Sequence, residues 1–355
     1  MLPKHLKKGD NVAIVSLSSG ILGESFIKHE LDLGIKRLRE FDLEPIFMPN
    51  ALKGLTFIKE HPEARAEDLK KAFLDNSISA ILCAIGGDDT YRTLPYLLED
   101  EEFKNIVQKN PKLFLGFSDT TINHFMFYRL GLPTFYGQAF LPDLAELDQE
   151  MLPYSKAAFL NLFKTRFDPI TSSPVWYLER HDFSPASLGT KRQHKEERNG
   201  YEVLQGKGKF EGELLGGCLD SMYDILTNTR YPDEKEICEK YHLFPSKEEW
   251  KGKILLLETS EEQPSPEEYR KMLNALKATG VFESIHGILH GKPMDEKYYN
   301  EYKSILIEIV DNPKLPILFN LNIGHATPRC ILPLQARIIV DLEEKKLEFK
   351  EEVFL

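Results

Sequence analysis

The chain is poor in cysteine. Its four cysteines, Cys83, Cys218, Cys238 and Cys330, are scattered with no C-x-x-C pair. That argues against a disulfide framework and against a zinc site. Cys83 and Cys330 lie in apolar runs and read as small buried hydrophobes. Long apolar runs are missing too: none approaches the ~18 residues that suggest a membrane span. The charged start, Met1 to Asp10, is not followed by the apolar stretch of a signal peptide. The expectation is a cytoplasmic protein without membrane association. Positive charge is in deficit, the net charge being −11, which disfavours nucleic acid or an anionic membrane as partner. There is no internal repeat and no low-complexity tract. What remains, 42% hydrophobic and 28% charged over 355 residues, is ordinary for a globular protein with two domains and a large core.

The first ~150 residues alternate strand and helix patterns. Strand runs stand at Asn11 to Leu17, Glu44 to Met48, Ala80 to Ile85 and Leu113 to Gly116. Helical patterns fall at Phe26 to Phe41, at Pro62 to Phe73 and around Leu94 to Leu98. Near-continuous apolar strands separated by helices predict a parallel sheet covered on both faces. Ligands of such sheets bind beyond the carboxyl ends of the strands. Three loops leave those ends: Ser16 to Gly20, Gly86 to Thr90 and Gly116 to Thr120. Residues 165 to 210 are polar and hold no persistent period, so they read as a long surface segment. Trp176, Tyr177 and Phe183 would anchor it, and the charged run Lys191 to Arg198 would be solvated. From about Phe210 a second α/β pattern follows, with strands at 252–258, 285–291 and 316–320, helices near 266–279 and 297–310, and two closing strands in the tail.

The stretch Leu113 to Thr121 carries the most chemistry. An apolar strand ends at Gly116, Ser118 follows two residues later, and helix-forming sequence begins at once. Such a strand-to-helix turn lifts a serine hydroxyl to the sheet's edge and frees its neighbour's N–H for an oxyanion. Taken alone, these residues more often make a bare helix cap. A nucleophilic serine needs a base and an orienting acid. His325, after a strand and Gly324, is the best-placed base. His286 and His290 read as structural, and His124 as packing or capping. Glu258, closing the buried run Ile254 to Leu257, is the best-placed acid. Asp119 reads as capping its helix, its N–H being the useful part. Gly86-Gly87 ends another strand, where glycine lets backbone approach a substrate closely.

These segments resemble the LD-carboxypeptidase family of serine peptidases (peptidase family S66), which includes the microcin C immunity peptidases. The resemblance runs through Ile85 to Leu97, Asn110 to Thr121, Leu214-Leu215-Gly216-Gly217, Ile254 to Glu258 and Gly324-His325-Ala326-Thr327-Pro328. It implies a flavodoxin-like (Rossmann-like) parallel-sheet N-terminal domain, residues 1–165, carrying the nucleophile. A linker and active-site loop, 166–209, and a smaller α/β C-terminal domain, 210–355, would follow. The implied catalytic residues are Ser118, Glu258 and His325, with the oxyanion held by the Gly87 and Asp119 N–H groups. Neither metal nor organic cofactor is implied, and family members are commonly homodimers. The implied reaction is hydrolysis of a C-terminal amide in short peptides such as murein peptides. The alternative is an immunity-type hydrolysis of aminoacyl or peptidyl nucleotides. Trp176, by resemblance to the immunity branch, could stack on a nucleobase. Arg92 and Arg329 are candidates for a substrate carboxylate. Against a phosphate, Glu258 is followed by the acids Glu261 and Glu262.

Overall fold

The computed structural model describes residues 1–355. Its first sheet holds β1 (Asn11–Val15), β2 (Glu44–Phe47), β3 (Ile78–Cys83), β4 (Leu113–Gly116) and β5 (Phe135–Tyr136), all parallel, in the order β2-β1-β3-β4-β5. This is the flavodoxin-like order, and it reverses between β1 and β3. The loops after those two strands diverge there and leave a crevice. Their sequences explain the parallel pairing: every residue of β4 and nearly every one of β1 and β3 is buried, as strands covered on both faces must be.

The middle segment is not a plain loop. β6 (Val175–Tyr177) pairs antiparallel with β7 (His194–Glu196), and β8 (Glu202–Gln205) edges the second sheet. These strands have three or four residues each, too few for a period to register in sequence. The charged run is not wholly solvated either. Arg192 is buried against Glu146 at 2.6 Å, and the Glu197 carboxylate pairs with buried Lys292 at 3.0 Å.

The second sheet adds β9 (Lys209–Cys218), β10 (Lys253–Glu258), β11 (Gly287–Gly291), β12 (Ile317–Leu321), β14 (Arg337–Asp341) and β15 (Lys346–Phe349) to β8; between β12 and β14 in the chain lies β13 (Leu332–Pro333). Strands β9 to β12 are mutually parallel and β10 is buried throughout. β13 leaves this sheet and pairs antiparallel with β5 of the first. The apolar clusters follow the same logic. One joins Phe73 and Phe127 to Leu257 and Leu273, the other Leu38 and Phe140 to Leu256 and Ile338, so each core passes from one sheet to the other. No helix is long and apolar enough to cross a membrane. The expected α/β class, with a parallel first sheet, is the one observed.

Candidate active site

Ser118 opens a 3-10 turn, Ser118–Thr120, that runs into the helix Thr121–Leu130. Its φ is +65°, a left-handed conformation that costs a non-glycine residue energy and is characteristic of a nucleophile turn. Ser118 Oγ lies 3.0 Å from His325 Nε2, and His325 Nδ1 lies 2.8 Å from Glu258 Oε2. The backbone N–H of His325 donates to the same carboxylate oxygen at 3.2 Å. Glu258 is the last residue of β10 and fully buried, while His325 follows β12. Gly324 makes the approach feasible. Its φ is +82°, and a Cβ there would sit 2.2 Å from Glu258 Oε2. Three side chains far apart in sequence thus form one hydrogen-bonded row.

Two members of this network escaped the sequence reading. The Tyr136 hydroxyl donates to Glu258 Oε1 at 2.6 Å and accepts from the Ser118 N–H at 3.2 Å. Burial first, and then the charge of Glu258, holds the phenol well above its ordinary pKa, so it stays a donor. Its only sequence signal was a polar tip ending a short apolar strand. Glu261 is the other. Its Oε2 lies 2.8 Å from His325 Nε2, the nitrogen that also meets Ser118, although its side chain is 64% exposed. Burial opposes charge on His325, but Glu258 and then Glu261 outweigh it and push the imidazole up to about 10. The reciprocal effect holds Glu261 at about 2 in spite of desolvation.

The three expected loops meet around the serine. A Cβ at Gly86 would lie 2.8 Å from Ser118 Oγ and 3.5 Å from the Asp119 nitrogen, so only glycine lets this loop close on the serine. Asp119 does not cap its helix. Its carboxylate instead accepts from Ser18 Oγ at 2.6 Å and the Thr90 N–H at 2.9 Å, bracing the loops after β1 and β3 against the serine turn. Burial, its largest influence, pushes Asp119 up to about 6. Buried Arg65 ties the Gly86–Thr90 loop from behind through Asp89 at 2.6 Å.

The remaining candidates stand elsewhere. Trp176 is buried between the ammonium groups of Lys195 and Lys292, each 4.9 Å from its ring, and does not line the cavity at Ser118. Arg92 is likewise outside that cavity and pairs with Asp233 at 3.3 Å. Arg329 does line it, but its guanidinium is committed to Asp143 at 3.1 Å and to the Gly324 and His325 carbonyls. His124 is packed, its ring nitrogens 2.7 Å from Thr134 Oγ1 and 3.1 Å from the Gly116 carbonyl, and burial lowers it to about 4. His290 is buried and bonded to Tyr269 at 2.9 Å, a structural residue as read.

One cavity opens at the row: of about 790 Å³, it is bounded by Ser118, His325 and Gly87 and extends along partly apolar walls. A second, about 540 Å³ and lined mostly by polar residues, includes Lys59, Asp88 and Arg230 but no member of the row. Gly87 and Glu261 border both.

An α/β chain with a serine turn at the edge of a parallel sheet, hydrogen-bonded through histidine to a buried carboxylate, has the architecture of a hydrolase. The family models for the LD-carboxypeptidase N-terminal and C-terminal domains match residues 12–137 and 211–340. The chain belongs to the LD-carboxypeptidase family and is a carboxypeptidase by class. It is similar to a solved MccF-like protein of Streptococcus pneumoniae in complex with AMP, 56% identical with a TM-score of 0.93, over 96% of this chain and 98% of that one. A probable murein peptide carboxypeptidase of Bacillus subtilis is 28% identical over 97% of this chain and 92% of its own. The microcin C7 self-immunity protein MccF of Escherichia coli is 26% identical over 81% of this chain and 78% of its own.

Proposed function

We propose that Ser118, His325 and Glu258 form a catalytic triad and that the substrate is a short peptide of the murein type. The observation that carries this reading is the unbroken row from Ser118 Oγ through His325 to Glu258, at 3.0 and 2.8 Å. Ser118 attacks the scissile carbonyl as His325 Nε2 takes its proton. Glu258 holds the imidazole by Nδ1–H and balances the charge that develops. The N–H groups of Gly87 and Asp119 receive the oxyanion. His325 then protonates the leaving amine, and water releases the acyl group by the same route. Glu261 must give up Nε2 before the histidine can act as base, and its exposed side chain is free to do so.

The site lies between a nucleophile-bearing domain, 1–165, and a domain carrying the acid and base, 210–355, joined by 166–209. The family resemblance supports a cytoplasmic homodimer, which light scattering of the purified protein would test. A Ser118→Ala variant is expected to lose turnover by roughly 10⁴-fold or more while keeping the native melting temperature. Full activity in that variant would overturn the triad.

One observation favours a second reading. The MccF-like relative that is 56% identical is described with AMP, which supports cleavage of aminoacyl or peptidyl nucleotides. Turnover of a murein tetrapeptide beside that of an aspartyl sulfamoyl adenosine decides between the two. The peptide reading expects the tetrapeptide to be preferred, because Glu261 and Glu262 stand where a phosphate would want cations.

A further inference from the structure

The larger cavity has an acid with no task in the triad. Glu30 stands in the first turn of the helix Lys28–Glu40, forms part of the cavity wall and is 5% exposed. Its Oε1 has no hydrogen-bond partner. The nearest base is His29, whose Nε2 is 3.8 Å from that oxygen; the same nitrogen lies 2.9 Å from the Phe183 carbonyl, where its proton is used. The other glutamates on the wall are matched. Glu146 meets Arg180 at 2.7 Å and Arg192 at 2.6 Å, Glu179 meets Arg192 at 2.5 Å, and Glu261 meets His325 at 2.8 Å. A buried carboxyl is costly to leave unmatched, and Glu30 lines the same cavity as Ser118.

We propose that Glu30 receives a primary ammonium at the end of an aliphatic chain on the peptide substrate. The wall supplies what such a group needs. Ile21, Ile27, Leu141 and Leu147 offer an apolar path for a methylene stem, in the way lysine stems lie along apolar surface with the charge at the tip. The ammonium supplies up to three donors to a carboxylate that has none. The Glu146 charge is also close enough to act on Glu30. Burial first and then Glu146 push Glu30 up to about 7, so an arriving cation would stabilise its ionised form. The proposal rests on the peptidase reading for its ligand class and adds the side chain that is selected.

The test uses the Ser118→Ala protein, with and without Glu30→Gln. Two peptides, identical except that one ends in L-lysyl-D-alanine and the other in L-norleucyl-D-alanine, are titrated by calorimetry. The expected result is at least ~10-fold tighter binding of the lysyl peptide, as befits a hydrogen bond to a charged group. Glu30→Gln should erase that preference and leave the norleucyl affinity within about twofold. Glu30→Met serves as a second variant, and melting curves confirm that each protein is folded. Equal affinity for the two peptides, a preference that survives Glu30→Gln, equal weakening of both peptides, or no binding of either overturns the proposal. Hydrolysis of the same pair by the native enzyme is scored separately. Cleavage of both without preference keeps the peptidase reading and rejects Glu30. Cleavage of neither, with preferential binding that depends on Glu30, keeps the site and rejects that reading.

Discussion

Glu261 and Ser118 compete for one nitrogen of His325, and on the proposed triad that competition governs the pH dependence of turnover. A general base must be neutral, and with carboxylates on both nitrogens this imidazole is held up at about 10. With His325 as the proposed base, turnover is therefore expected to rise with pH as the imidazole loses its proton. Removing the Glu261 charge removes one of the two stabilisers of the imidazolium, so the acid limb of the kcat/KM profile moves to lower pH. For Glu261→Gln a shift of roughly one pH unit or more is expected, with a gain in activity near pH 7. An unchanged limb would mean that the Glu261 contact is not kept in solution. Tyr136 acts from the opposite end. Tyr136→Phe leaves Glu258 Oε1 without its donor and Ser118 N–H without its acceptor. A loss of about 2 kcal/mol in stability is expected, measured by urea unfolding, together with a lower kcat.

The strand ends deliver the site, and they were the part of it most legible in sequence. A run of four buried apolar residues before Glu258, and one of three, Leu113 to Leu115, before Gly116 and Ser118, mark the carboxyl ends of parallel strands, where functional groups collect. Loop chemistry was less legible. Asp119 after a serine looks like a cap, because Asp commonly caps helices; its bracing of Ser18 and Thr90 depends on where two other loops arrive. Trp176 and Arg92 looked available for ligands since sequence shows residue type and not which cation or acid comes to rest against it. Glu261 was read only as a repulsive charge, since a contact with His325 crosses from the loop after β10 to the loop after β12. Gly324 tests how tightly these loops are fitted. An alanine there needs the left-handed φ of +82° and places its Cβ within 2.2 Å of Glu258 Oε2. Gly324→Ala is expected to cost at least about 1 kcal/mol from the backbone alone and to lower kcat by displacing the acid. A melting curve and a kcat measurement check both parts.

Over the whole molecule, the two sheets share their cores, and the chain's ends are part of the seam. β13 lies beside β5 of the first sheet while β14 and β15 return to the second. Past β15, Phe354 is 2% exposed and stacks on Phe135 at 5.2 Å, with Phe167 at 5.8 Å and His5 at 6.3 Å. The Leu355 N–H closes on the Pro3 carbonyl at 2.9 Å. The last residues thus bind the start of the chain to the β5 strand that carries Tyr136. Phe354→Ala empties this cluster, and a buried Phe→Ala change typically costs 3–5 kcal/mol. About 3 kcal/mol is expected, read as a lower urea midpoint with an unchanged m-value. Because both cores pass between the sheets, the loss should shift one cooperative transition and not split it in two. Tyr136 remains paired through β4 and β13 on either side, so kcat measured well below the midpoint should stay near the native value. A biphasic unfolding curve would show that the halves are energetically separable, and a large fall in kcat would show that the tail helps to position Tyr136.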